Sequence, residues 1–216
     1  MMNKNDTTIV ICCAGMGTRL GIGTPKTLVN ICGKPLIIHL LEMLSDYDDI
    51  RIVVGFQAEK VINVVKEFRK DITFAFNYDY KTTGVAASLS KAILGARKYV
   101  VSIDGDLLIN PNDFQGFLEA PYECIAGSDP TSEETIYMST SSDATRIVEF
   151  SKNKTETEWI GLVKIETFKL HQYKDSVIEM MKEHLPLPLI RVRSREIDTP
   201  DDYEKMVNWF ANGCQD

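Results

Sequence analysis

Short apolar runs alternate with amphipathic stretches through the first half of the chain, and this rhythm confines the fold more than any other feature. Thr8–Cys13 is apolar without helical period, as suits a strand buried on both faces. Pro35–Leu44 then carries Leu36, Ile37, Leu40, Leu41 and Leu44 as a helical stripe behind a proline. Ile50–Val54 reads as a second strand stopped by Gly55, and Ala58–Phe68 as a helix through Val61, Ile62, Val65 and Phe68. Ile72–Asn77 alternates as a strand, Val85–Arg97 has a helical pattern, and Tyr99–Ile103 is another apolar run. The repeat predicts a three-layer, Rossmann-like α/β fold with a mainly parallel sheet and helices on both faces. Such sheets bind ligands at the carboxyl ends of their strands.

After about residue 122 the pattern changes. Glu123–Gly127, Thr135–Thr140, Arg146–Phe150 and Trp159–Ile165 read as strands with little helix between them, and 151–158 as a polar turn or flap. These predict mixed and antiparallel strands that extend the sheet and wall a second pocket. Ser176–Glu183 reads as a helix, Leu189–Val192 as a last strand, and Asp201–Phe210 as a terminal amphipathic helix with Thr199 or Asp201 near its cap. The 216 residues suffice for one sizeable core, and the expectation is a single domain over 1–216.

The first strand runs into Ala14, Gly15, Met16, Gly17, Thr18, Arg19 and Leu20, with Pro25 and Lys26 shortly after. Two glycines let the backbone approach an anion closely. Arg19 supplies a guanidinium suited to phosphate, and Pro25 restricts the chain just before Lys26. The order points to a nucleoside triphosphate. It is not a P-loop, because the G-x-x-x-x-G-K-[ST] spacing is missing, and the dinucleotide fingerprint fails where Leu20 replaces its third glycine.

Asp104 and Asp106 flank Gly105 at the end of a predicted strand, where hard oxygen ligands suit Mg²⁺. An Asp pair capping a loop is the simpler alternative. Glu196, Asp198, Thr199, Pro200, Asp201 and Asp202 form a second acidic stretch, in which Asp201 and Asp202 fit the first turn of a helix better than a metal.

With these motifs on the page, the chain resembles the nucleotidyltransferase family of MobA-like, GT-A-type fold. The resemblance rests on A-G-x-G-T-R-L-G-x-x-x-P-K at Ala14–Lys26, on Gly33 to Leu36, Ile52 to Gly55, Gly105–Asp106 and Glu196 to Asp202. It runs nearly the whole chain. The short gap between Arg19 and Pro25 and the E-I-D-T-P-D-D ending look most like phosphocholine and 2-aminoethylphosphonate cytidylyltransferases. The resemblance implies a nucleotide-binding half at 1–121 and an acceptor-binding half at 122–216. Ala14 to Arg19 would bind the triphosphate and Lys26 its α-phosphate, with Arg19 and Lys26 catalytic. Asp106 and Asp198 would hold Mg²⁺. Gly84 and Ser88 would contact the base, and Trp159, Gly161 and Tyr137 would line the acceptor pocket. Asp104 joins the nucleotide-binding set without an assigned role. Cys12 and Cys13 depart from the small and aliphatic residues usual before the glycine loop.

The implied reaction joins CMP from CTP to a small phosphorylated or phosphonate alcohol or amine, with release of pyrophosphate. A sugar-1-phosphate nucleotidyltransferase using UTP, GTP or dTTP is the alternative enzyme, and a catalytically silent nucleotide-binding domain the alternative from another class. A net charge of −7 speaks against nucleic-acid or membrane-surface partners. Five cysteines in no metal-binding spacing read as free thiols of a cytoplasmic protein, and no run approaches membrane-spanning length.

Overall fold

The computed structural model describes residues 4–131, 135–171 and 174–215. Strand β1 (Thr7–Cys13) is followed by a small hairpin, β2 (Asn30–Ile31) and β3 (Lys34–Pro35), and by α1 (Leu36–Met43). Then come β4 (Ile50–Val54), α2 (Ala58–Phe68), β5 (Ile72–Phe76), α3 (Val85–Ala92) and β6 (Tyr99–Asp104). The second half holds β7 (Leu107–Ile109), α4 (Pro111–Glu119), β8 (Cys124–Ser128), β9 (Tyr137–Thr140), β10 (Arg146–Ser151) and β11 (Glu158–Glu166). It ends with α5 (Val177–Lys182), β12 (Leu187–Arg191), β13 (Ser194–Glu196) and α6 (Pro200–Ala211).

Nine strands form one mixed sheet in the order β5-β4-β1-β6-β11-β8-β12-β10-β9. The β5-β4-β1-β6 block is parallel, as the βα rhythm predicts. β11 enters antiparallel between β6 and β8 and joins the two halves of the chain. β1 shows why its run is apolar throughout. Ile9, Ile11 and Cys13 pack on one face with Leu40 and Leu41 of α1, Val61 of α2 and Phe114 of α4. Val10 packs on the other with Leu89 of α3 and Met181 of α5, and period two sends alternate residues into two cores. A third cluster joins α6 to the hairpin through Ile31, Leu36, Met206 and Trp209. No helix among the described residues is long and apolar enough to cross a membrane.

The structure differs from the sequence reading in several places, among them the β2–β3 hairpin, which that reading lacked. α3 ends at Ala92, not Arg97, because Gly95 turns into the left-handed region at φ 65°. The Arg51 guanidinium donates to the main-chain oxygens of Ala92, Leu94 and Gly95 and so caps that end. α4 is absent from the sequence reading, although Pro111 opens it and the Asn110 side chain accepts from the amides of Asn112 and Asp113. β7 and β13 also escaped it; they pair antiparallel as a two-stranded ribbon apart from the main sheet.

Candidate active site

Gly17 is the local key to the glycine loop. It sits at φ 58°, and a Cβ there would lie 2.7 Å from Cγ of Lys26. The glycine therefore gives both the left-handed turn and the room for the lysine stem. Gly15 differs, since a Cβ on it would meet nothing within 4 Å, so the fold itself does not require glycine there. At the neighbouring strand end, the amide of Gly105 donates to the Cys12 carbonyl oxygen at 3.0 Å. A Cβ on Gly105 would fall 2.5 Å from Cys13 Sγ. The two unusual cysteines are thus matched to the glycine of the acidic loop. Both thiols are pushed up in pKa, first by burial, so they are protonated and inert near neutral pH.

The ribbon β7–β13 brings the far end of the chain to this place. Lys26 Nζ donates to Asp106 Oδ2 at 2.8 Å and to Asp198 Oδ1 at 2.5 Å, a pair separated by 172 positions in sequence. Arg19 Nη2 lies 2.8 Å from the same Asp198 oxygen. Burial alone would lower the Lys26 pKa, but the charges of Asp106 and Asp198 and the bonds to them prevail and hold it above its ordinary value. Gly15, Gly17, Thr18, Arg19, Lys26, Asp104, Asp106 and Asp198 all line one cleft of 330 Å³, together with Cys12, Cys13 and Glu196.

Glu196 is the residue the sequence reading missed as a site member. One oxygen each of Asp106, Glu196 and Asp198 lie within 4.8 Å of one another. Its carboxyl is raised in pKa, first by desolvation in the cleft and then by the charges of Asp106 and Asp198. Three converging carboxylates with an ammonium between two of them form a hard-oxygen donor set that fits a divalent cation such as Mg²⁺. The clue in the sequence was the alternation of Glu196 and Asp198, which places both on one side of an extended segment. Asp202 has a different task. It closes a capping box with Thr199 at the start of α6, while Asp201 pairs with Lys205.

The other expected residues are spread more widely. Ala14 is buried and its carbonyl accepts from the Phe56 amide at 3.0 Å. Met16 is half-buried at the loop between β1 and Gly17. Gly84, Trp159 and Gly161 line a smaller cavity that adjoins the cleft through Val85 and Asp104. Ser88 is buried inside α3, where its hydroxyl accepts from Asn77 Nδ2 at 3.1 Å, and it lines neither cavity. Tyr137 pairs with Glu158 across β9 and β11, beside Trp159, but it does not line the cavity that holds Trp159 and Gly161. It lines a separate cavity with Lys154 and Arg191. Burial, and next the Asp106 charge, push the Asp104 carboxyl well above the ordinary carboxylate range.

This geometry agrees with the comparisons to known proteins. Residues 9–160 match the family model of the MobA-like NTP transferase domain, and the chain belongs to that family. Among curated relatives, the Bifunctional protein GlmU of Campylobacter curvus is 31% identical over 118 residues, 54% of this chain and 27% of the relative. The chain thus spans about a quarter of that relative's length. Among solved structures, CTP:phosphocholine cytidylyltransferase (LicC) of Streptococcus pneumoniae superposes with a TM-score of 0.78 at 21% identity, covering 95% of this chain and 99% of its own. A putative glucose-1-phosphate thymidylyltransferase of Bacillus anthracis gives 0.77 at 18% identity, covering 95% of each chain. At these identities the two structures establish the shared fold.

Proposed function

We propose that the chain is a Mg²⁺-dependent cytidylyltransferase that joins CMP from CTP to a small phosphorylated or phosphonate alcohol or amine. The observation that carries this reading is the meeting of Lys26 and Arg19 with Asp106 and Asp198 in one cleft. An acceptor oxygen attacks the α-phosphorus, a new P–O bond forms, the bond to the β-phosphate breaks, and pyrophosphate leaves. A phosphate acceptor needs no dedicated base, because its second pKa of about 6 leaves it largely dianionic at neutral pH. Catalysis then consists of bringing anions together and neutralising charge at the reacting phosphorus. Lys26 Nζ and the Arg19 guanidinium supply fixed positive charge, and Gly15 leaves open space beside them. Asp106, Glu196 and Asp198 would hold the Mg²⁺, which when bound adds charge neutralisation on the triphosphate.

The short Arg19–Pro25 loop and the likeness to LicC support CTP as the donor. The fold shared with the putative thymidylyltransferase supports a second reading, transfer to a sugar-1-phosphate. The two halves would work as one domain, in a cytoplasmic setting that suits five unpaired thiols. Pyrophosphate release across four nucleoside triphosphates, against choline, aminoalkyl, polyol and sugar-1-phosphates, is the deciding test. Release with CTP and a small acceptor is expected. Turnover confined to UTP, GTP or dTTP with a sugar-1-phosphate would replace the first reading by the second, and no turnover with any pair would refute both.

A further inference from the structure

Gln57, at the head of α2, combines two unfavourable features. Its backbone is left-handed at φ 48° and ψ 42°, a region that is strained for most residues other than glycine and asparagine. Its Oε1 is buried with no hydrogen-bond partner among the described residues, and an enclosed oxygen left unpaired is destabilising. Against these stands one bond: Nε2 donates to the Gly23 carbonyl oxygen at 2.8 Å, across 34 positions of sequence. Stability does not account for such a residue, and strained residues of this kind gather where exact placement matters. The bond lands in the stretch that joins the two cations of the cleft. Gly21 and Gly23 are left-handed at φ 72° and 65°, and a Cβ on either would meet nothing within 4 Å. Ile22 between them is exposed. Among the described residues, the Gln57 amide is the one hydrogen-bond partner of 22–24. The base of this arm is firm. A Cβ on Gly55 would lie 2.8 Å from the Ala14 carbonyl oxygen, and the same oxygen accepts from the Phe56 amide. The turn after β4 is therefore pressed against the end of β1, and Gln57 reaches from it to Gly23.

We propose that Gln57 is a positioning residue that clamps the loop 21–25 and so fixes the placement of Arg19 relative to Lys26. The assignment rests on the transferase reading above. Gln57 lines neither the cleft nor the cavity beside it, so it acts through the loop and not on a substrate. Asp198 also ties the two cations together, through a single carboxylate oxygen. A triphosphate in the cleft competes with Asp198 for both of them, whereas the hold on Gly23 is untouched by that competition. Charge placed in advance of the reaction is what such a transfer needs, and a loop free to drift would forfeit it.

Gln57→Gly and Gln57→Asn separate placement from stability. Both residues accept the left-handed backbone, but glycine lacks the amide and asparagine is one methylene short of Gly23. Each variant is expected to melt at or above the wild-type temperature. Amide hydrogen exchange at 21–24 should nevertheless rise in each. The kcat for pyrophosphate release should fall about 3- to 10-fold, the worth of one hydrogen bond, with the KM for the acceptor unchanged. Should one variant fail to fold, the other carries the test; failure of both would make the residue structural and overturn the assignment. Unchanged exchange at 21–24, unchanged turnover, or a loss of turnover matched by a much lower Tm would also overturn it and leave the transferase standing. If the wild-type chain releases pyrophosphate with no pair of substrates, the transferase reading falls, and exchange decides the clamp alone. Faster exchange at 21–24 in the variants then supports the clamp, and equal exchange refutes it.

Discussion

At the residue scale, two glycines and a lysine divide packing from function. Gly17 and Lys26 are locked together, since the Cβ position of one is occupied by the stem of the other. Gly17→Ala forces both a left-handed alanine and a displaced Lys26. It is expected to cost about 1–2 kcal/mol of stability, readable by denaturant unfolding, and most of the activity. Gly15→Ala meets nothing in the protein and should leave the unfolding midpoint unchanged while weakening nucleotide binding, provided the open space belongs to the phosphates. Lys26→Ala should cost about 3 kcal/mol in barrier, roughly a hundredfold in kcat/KM by pyrophosphate release. Full turnover by that variant would remove Lys26 from the mechanism. These residues were legible because their spacing is local: Gly15, Gly17, Arg19 and Lys26 fall within one short stretch, and glycine and proline mark the backbone there. Glu196 was less legible, because its membership of the site depends on Asp106, which only the fold brings near.

At the element scale, the ribbon β7–β13 positions the distal acids, and a half-buried ion pair anchors the ribbon. Asp113, in the first turn of α4, accepts from the Arg193 amide at 2.9 Å, from Nε at 2.8 Å and from Nη2 at 2.9 Å. The hydrogen bonds from the Arg193 side chain are the main cause that holds the Asp113 carboxyl below its ordinary value. A depressed folded-state pKa gives stability that is fully present above the unfolded value of about 3.9 and is lost as the pH falls through the folded value. Asp113→Asn should therefore melt lower than wild type at pH 5–7, by about 1 kcal/mol, with the gap closing below pH 4. A gap that stays constant down to pH 2.5 would assign the loss to shape and not to charge. The same elements mark the limit of sequence reading. The main helices and strands of the first hundred residues have strong period, and α2 spans the same residues predicted for it, whereas α3 stops short of its predicted end. α4 lay between two acidic motifs and drew no attention despite its Asn110 and Pro111 signals. The three-residue strands β7 and β13 are too short to show a period, and pairing across the chain creates them.

At the scale of the whole molecule, the sheet order explains why one small ligand can tie the chain together. β1 and β6 are neighbours, so the glycine loop and the Asp104–Asp106 loop open at the same edge. β11 then runs back alongside β6 and sets Trp159 and Gly161 next to that edge. The ribbon adds Glu196 and Asp198 from near the end of the sequence. A nucleotide held there touches groups from both halves, so its binding free energy opposes their separation as well as local fraying. At about 100 times its Kd, a ligand specific for the native state adds about 2.7 kcal/mol. For a chain of this size that corresponds to a rise in Tm of about 5–10 °C. CTP with Mg²⁺ is expected to produce such a shift in thermal melting, CTP with chelator a smaller one, and Asp198→Asn to abolish the difference between them. That difference is the informative quantity, because on the proposed reading Lys26 and Arg19 would attract the triphosphate with or without metal, whereas the carboxylates would make its binding depend on Mg²⁺. A shift that is equally large with chelator would show that Asp106, Glu196 and Asp198 serve the lysine and arginine alone. A larger shift with UTP or GTP would move the base preference away from cytosine while leaving the geometry of the cleft intact.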